Sequence, residues 1–388
     1  MPLDSKPSSL RTLAVLHPVF ALTGILHAVG GALLPSLAVR FHLSDSTSGL
    51  LFLLYFAGTS LGALLCRGSY ARLMTIGFSA MVLTCLAVAA SPRVLLAPLF
   101  LLLGISVGIP MSAVTLFIGR NFPERCAPLL VFLNFSWSIG ALAAPLIAAR
   151  ILMHYDYRAA YILFSIASAA AAIACGLILR DHPESVRSST FNGAQSSTSA
   201  LSLVTIFAVA AFLQVGIENT ITAWLPTYAL RMAGRGLVLA AVSSSFYWAG
   251  FLFSRGLSSF LLLHAAPARV FRISIALGIA AALFLEFAPS VAARNIAMFI
   301  LGAALAPTYP LILAGFFART ERTADSRWIL FTAGFGGSAV PWLAGLISAH
   351  TGSLRLGMML IPIAMLLMLL IMPGLPSSES APSEPKPG

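Results

Sequence analysis

One acid lies deep in an apolar run: Glu218, within LVTIFAVAAFLQVGIENTITAWLPTYAL at 203–230. An ionisable group at that depth costs on the order of 2.5–3.5 kcal/mol on insertion scales, so it marks a functional site by default. At about 100° per residue, Gln214, Glu218 and Thr222 share one narrow arc, and Asn219 flanks it. A carboxyl held there can take up and release a proton, which is the chemistry of a relay. The alternative is a glutamate that only glues two helices by hydrogen bonding, a role more often filled by Ser, Thr or Asn. His27, midway along the first apolar run on a face with Thr23 and Gly31, is a second candidate proton carrier. Its alternative is a neutral imidazole bonded to another helix.

Amides and aromatic rings at helical spacing suggest a second chemistry, the recognition of hydroxyl groups. Amides offer both donors and acceptors, and aromatic faces cover C–H surfaces. Asn134, Trp137, Ser138 and Ala141 fall at i, i+3, i+4 and i+7 of one apolar run. Gln214 and Asn219 lie beside Glu218, while Tyr247 and Trp248 belong to the next run. Phe331, Phe335, Ser338 and Trp342 share a face near the C-terminus. Each aromatic can instead face lipid or pack. The amides are more specific, because an unpaired amide in a membrane is penalised. Trp224 and Tyr228 fall near a run's outer end, where interfacial aromatics are expected.

These residues need elements that cross a bilayer. Of 388 residues, 59% are hydrophobic and only 9% are Asp, Glu, Lys or Arg, against roughly 25% charged residues in soluble proteins. The chain therefore reads as an all-α, polytopic membrane protein, with the lipid bilayer as its surroundings. The net charge of +11 comes from basic residues scattered between apolar runs, with no basic stripe that would suit nucleic acid. The four cysteines form no C-x-x-C pair and no metal spacing, and no H-E-x-x-H enzyme motif occurs.

Twelve apolar runs fall near 13–38, 46–65, 73–91, 94–118, 128–152, 158–179, 202–230, 237–263, 270–289, 294–318, 327–349 and 355–373. Each approaches the roughly 20 residues that a transmembrane helix needs. The expected organisation is a cytoplasmic N-terminus (1–12), a six-helix bundle (13–180) and a polar cytoplasmic linker (181–200). A second six-helix bundle (201–373) and a disordered cytoplasmic tail (374–388) follow. Placing the N-terminus inside assigns fifteen Lys and Arg residues to the cytoplasm and eight to the other side, which favours both termini inside. Pro110, Pro307 and Pro310 are expected to break helices four and ten as hinges or gates.

Internal repetition ties the halves together. Phe20-x-x-x-Gly24-Ile25 recurs as Phe212-x-x-x-Gly216-Ile217, and Gly62-x-x-x-x-Arg67-Gly68 as Gly250-x-x-x-x-Arg255-Gly256. Leu103-Gly104 matches Leu301-Gly302, and Gly140-x-x-x-x-Pro145 matches Gly336-x-x-x-x-Pro341. The offsets are 192, 188, 198 and 196. An offset of six helices preserves orientation, so the halves are parallel repeats, and a site between them at the midplane is expected. The repeat also pairs His27 with Asn219 across that site.

With twelve runs in two halves, the chain resembles the major facilitator superfamily. The loop after run two resembles that family's G-x-L-A-D-R-x-G-R-R motif: Gly62, Leu64 and Arg67 are in register, Arg72 falls one residue past the closing arginine pair, and Cys66 replaces the usual Asp. The resemblance makes Arg67, Arg72 and, through the repeat, Arg255 gating residues. VGIENTITAWLPTYA (215–229), SSFYWAGFLFSRG (244–256), LGAALAPTYPLILA (301–314) and FGGSAVPWLAG (335–345) are similar to the fucose–proton symporter family, notably its bacterial glucose/mannose branch. That similarity implies a monomer in a bacterial-type inner membrane, importing a neutral monosaccharide with a proton and needing no cofactor beyond the proton gradient. Family members commonly carry an acid in helix four. Run four here, LLLGISVGIPMSAVTLF, has Ser112 and Thr115 instead, which leaves coupling to Glu218 with His27. Two alternatives stay open: a passive sugar uniporter, and a proton-coupled drug or metabolite exporter suggested by Gly140–Pro145 with Ala148-Ala149, which resemble the antiporter motif.

Overall fold

The computed structural model describes residues 7–122, 126–180, 198–233, 236–262, 264–317 and 326–372. They are helical almost throughout, because hydrocarbon offers no partners for backbone N–H and C=O groups. The first half contains α1 (Pro7–Phe41), α2 (Asp45–Leu64), α3 (Tyr70–Ala90), α4 (Leu96–Asn121), α5 (Cys126–Leu152) and α6 (Tyr157–Ile178). The second contains α7 (Thr198–Ala233), α8 (Leu237–Leu261), α9 (Pro267–Phe287), α10 (Val291–Leu305) and α11 (Thr308–Phe317). It continues with α12 (Ser326–Thr351), α13 (Leu354–Met358) and α14 (Leu360–Ile371). Among the described residues, eleven helical stretches are long and apolar enough to cross a membrane. The helix α12, of 26 residues, is a further crossing. Below, the face where α1 begins is the terminal face and the other is the opposite face.

Short polar signals end the crossings. Ser44, Ser69, Asp156 and Ser290 accept backbone N–H groups in the first turns of α2, α3, α6 and α10. Helix α7 begins at Thr198, inside the stretch expected to be linker. The rest of that linker and the tail from residue 374 lie outside the described residues.

The sequence repeat is a packing repeat. In the first half α1 packs on α5, α2 on α4 and α3 on α6; in the second, α7 packs on α12, α8 on α10 and α9 on α14. The repeated glycines sit where these pairs cross at backbone contact. A Cβ on Gly140 would lie 1.9 Å from the Ala21 carbonyl oxygen, and one on Gly336 would lie 2.1 Å from that of Phe212. Likewise a Cβ on Gly104 would lie 2.0 Å from the Tyr55 carbonyl oxygen, and one on Gly302 would lie 1.9 Å from that of Tyr247. No other residue type fits such crossings, which makes each half a stiff body. Between the halves, α2 packs on α12, α5 on α8 and α1 on α7.

Two proline expectations part here. The tenth crossing is broken between α10 and α11, at Ala306 and Pro307, with Pro310 in the first turn of α11. Helix α4 runs unbroken through Pro110. A membrane helix tolerates a proline where its neighbours accommodate it; here Gly77 of α3 leaves room for the ring, since a Cβ there would lie 2.6 Å from Pro110 Cδ.

Valine in place of Gly140 or Gly302 drives a side chain into a neighbouring backbone oxygen. Each variant is expected to lower the thermal-unfolding midpoint in detergent, at a cost of about 1–3 kcal/mol or more. Gly256→Ala in α8, where a Cβ meets nothing within 4 Å, is the control and should leave the midpoint in place.

Candidate functional site

Helix α7 carries the polar stripe into the seam between the halves. Gln214 is fully buried, and its Nε2 donates to the Leu305 carbonyl at 3.4 Å, where α10 ends. The same carbonyl accepts the Thr308 hydroxyl at 2.6 Å, so the break in crossing ten is stitched directly to the stripe. One turn on, Glu218 stays partly accessible. Its carboxylate interacts electrostatically with Arg255 and Tyr247 of α8 and with Tyr309 of α11. Asn219, at the edge of the stripe, is buried, and its Nδ2 donates to the Gly337 carbonyl of α12 at 3.0 Å. The Asn219 side chain also comes near the His27 imidazole of α1 across the seam.

A row of rings extends from His27. The imidazole lies 5.4 Å from the Phe56 ring and 5.3 Å from Trp137 of α5, centroid to centroid. Trp137 meets Trp248 of α8 edge-on at 5.7 Å, and Trp248 meets Tyr247 at 5.2 Å and Phe251 at 5.4 Å. These are the offset and edge-to-face spacings that aromatic quadrupoles favour. Among the described residues, four buried polar atoms of this region lack a hydrogen-bond partner: His27 Nδ1, Trp137 Nε1, Gln214 Oε1 and Tyr247 Oη. Buried polar atoms are normally satisfied, so such a group around one seam has the character of a recognition surface.

Arg255 closes the cage toward the terminal face. Its Nη1 donates to Ser138 Oγ at 2.9 Å and to the Asn134 carbonyl at 3.3 Å, both on α5. The guanidinium lies 4.7 Å from the Phe251 ring and 5.9 Å from Trp137. The sequence repeat pairs Arg255 with Arg67 of the loop after run two; α8 instead continues to Leu261 and holds Arg255 within the crossing. That position is tolerable because two acceptors and two aromatic faces replace water around the cation, and the charge of Glu218 offsets it through space.

A family model described as Major Facilitator Superfamily matches residues 16–324. The chain belongs to this superfamily. It is a secondary transporter and a multi-pass membrane protein. No protein of curated function matches its sequence. Among solved structures, it is similar to a D-xylose–proton symporter, with a TM-score of 0.76 at 15% identity, covering 95% of this chain and 98% of that one. A bacterial homologue of the human lysosomal transporter Spinster matches with a TM-score of 0.72 at 14% identity, covering 95% of each chain. The E. coli fucose–proton symporter, in a single-substitution variant, matches with a TM-score of 0.61 at 18% identity, covering 93% of this chain and 97% of that one. At these identities the likeness is one of fold.

The transporter assembles His27, Trp137, Gln214, Glu218, Asn219, Tyr247 and Trp248 in one region, and adds Arg255. Asn134 and Phe335 stand apart. The Asn134 side chain is exposed and donates back to the Leu130 carbonyl of its own helix at 2.9 Å, so only its backbone carbonyl serves the cage. Phe335 is 60% exposed and its ring lies 6.0 Å from Phe212. Arg67 and Arg72 are exposed at the terminal face, while Cys66 turns inward and Arg120 donates to the Gly68 carbonyl at 3.2 Å. Trp224 and Tyr228 are not interfacial aromatics: they are 0% and 1% exposed, and Trp224 Nε1 donates to the Pro341 carbonyl at 2.8 Å.

Two groups escaped the sequence reading. Tyr309 is placed beside Glu218 only by the break in crossing ten, although the Pro307 and Pro310 pair around it was a signal. Glu286 is 5% exposed near the end of α9, accepts the Tyr228 hydroxyl at 2.6 Å and pairs with Arg355 Nε at 3.2 Å.

Neutralising one member of the Glu218–Arg255 couple strands the other charge. Glu218→Gln and Arg255→Gln are each expected to destabilise the protein. The double variant should lose less than the sum, by about 0.5–3 kcal/mol of interaction energy, in a thermal-unfolding cycle.

Proposed function

We propose that this transporter takes up a neutral, hydroxyl-rich molecule of monosaccharide size together with a proton, by alternating access. The observation that carries the reading is the set of four unpartnered buried atoms on His27, Trp137, Gln214 and Tyr247 around an aromatic row. Trp137 Nε1 can only donate, Gln214 Oε1 can only accept, and the Tyr247 hydroxyl does both. A sugar hydroxyl likewise donates and accepts, so several hydroxyls on one ring suit such a mixture. The indoles of Trp137 and Trp248 supply apolar faces for the C–H side of that ring. Arg255 does not call for an anionic ligand, since its charge is already met by Glu218 and by acceptors on α5.

Glu218 is the proton carrier in this reading. When it takes up a proton, its attraction for Arg255 falls, and the hold of Arg255 on Ser138 and Asn134 changes with it. Those contacts bridge the halves, so protonation and ligand binding bias the same seam. Residues 13–180 and 201–373 then act as the two rocking bodies, with both termini on the cytoplasmic side of a bacterial-type inner membrane and a monomer as the working unit. Two of the structural neighbours are sugar–proton symporters, in keeping with this assignment.

Reconstituted protein is expected to accumulate radiolabelled hexose against its gradient when a pH gradient is imposed. Glu218→Gln should lose that accumulation and keep counterflow exchange. Hexose uptake indifferent to the pH gradient, or a Gln variant that still concentrates sugar, would remove the coupling claim. Trp137→Phe and Tyr247→Phe each delete one hydrogen bond of about 0.5–1.5 kcal/mol. Each should raise the half-saturating sugar concentration about 2–10-fold, with the maximal rate less affected.

A further inference from the structure

The face opposite the termini carries a polar junction that belongs to neither half alone. Asp45 is the first residue of α2, just after the capping Ser44. Arg231, near the end of α7, grips its carboxylate with both nitrogens: Nη1 donates to Oδ2 at 2.7 Å and Nη2 to Oδ1 at 2.5 Å. Ser348, near the end of α12, donates to Oδ2 at 2.5 Å. One first-half carboxylate thus takes donors from two second-half helices. A two-pronged grip of this kind fixes direction as well as distance.

The backbone beneath is already in contact. A Cβ on Gly345 of α12 would lie 2.6 Å from the Asp45 carbonyl oxygen, and one on Gly31 of α1 would lie 1.9 Å from that of Thr222 on α7. Arg231 is also held from behind. One turn earlier on α7, Tyr228 bonds Glu286 of α9, which pairs with Arg355 of α13. The end of α7 is therefore fixed to its own half, and Arg231 moves only when that half moves.

We propose that Asp45, Arg231 and Ser348 form the reversible latch of the opposite face, whose making and breaking sets access to the central site from that side. An ion pair at the mouth suits this duty. Its Arg231 side chain is 46% exposed and Asp45 is 14% exposed, so both partners return to water when it parts. A partly exposed pair gives up little on opening, whereas an apolar plug would have to expose hydrocarbon surface. The latch requires no particular substrate and stands apart from the proton and sugar assignments.

Thr222, 5% exposed beneath the latch, is the reporter position. Thr222→Cys is introduced into protein whose four native cysteines are replaced by alanine, and a membrane-impermeant maleimide is applied to each side of vesicles in turn. Labelling should be slow with the latch intact. Asp45→Asn or Arg231→Gln should raise it at least threefold from one side only, Ser348→Ala should raise it by less, and the exchanged pair Asp45→Arg with Arg231→Asp should restore slow labelling. The latch is overturned if Asp45→Asn and Arg231→Gln leave labelling unchanged in monodisperse protein. It is equally overturned if labelling rises alike from both sides, the mark of a loosened fold.

Discussion

A charge in hydrocarbon must be answered by protein, and that requirement shapes the seam of this transporter. Glu218 and Arg255 sit on successive helices of one half, yet Arg255 is not fully satisfied there. Arg255 reaches across to Ser138 and the Asn134 carbonyl on α5 and rests against Trp137, while Glu218 supplies the opposite charge. The first half thus completes the solvation of a cation anchored in the second. At the opposite face the dependence runs the other way, with Asp45 of the first half answered by Arg231 and Ser348 of the second. Glu286 is the instructive contrast. It is satisfied within its own half, by Tyr228 and Arg355, and holds that half together.

Moving such a seam requires bodies that do not deform. Glycines at the helix crossings let backbones touch, and packed contacts of that kind have few alternative arrangements. The repeat is imperfect where flexibility matters. Helix α4 carries Pro110 without interruption, while its counterpart is broken between α10 and α11. The broken crossing borders the site, for Gln214 binds the Leu305 carbonyl at the break and Tyr309 lies just beyond it. The less regular element is the one that faces the polar stripe of Gln214 and Glu218.

Much of the site was legible because its residues are costly in hydrocarbon. Glu218, Gln214 and Asn219 stand out in an apolar run, and the repeat offset pairs His27 with Asn219, which approach each other across the seam. Asn134 looked equally costly, but an amide can satisfy itself locally by bonding the carbonyl four residues back, as it does to Leu130. Phe335 shares the helical spacing of Ser338, and spacing alone does not say which arc of a helix meets the neighbour and which stays exposed. Trp224 and Tyr228 have the composition and depth of interfacial aromatics, yet other helices cover them completely.

The amino-acid sequence by itself determined the class, the number of crossings, the parallel repeat and the helix that bears the central acid. These follow from local constraints: a bilayer sets helix length, hydrocarbon penalises charge, and close crossings demand glycine. Tertiary structure alone decided that Arg255 lies inside the membrane as the counter-charge of Glu218, that Tyr309 joins it, and that Asp45 meets Arg231 and Ser348. Those arrangements bring separate helices together, and their geometry depends on how the helices are rotated and stacked. Helical periodicity carries no record of that rotation.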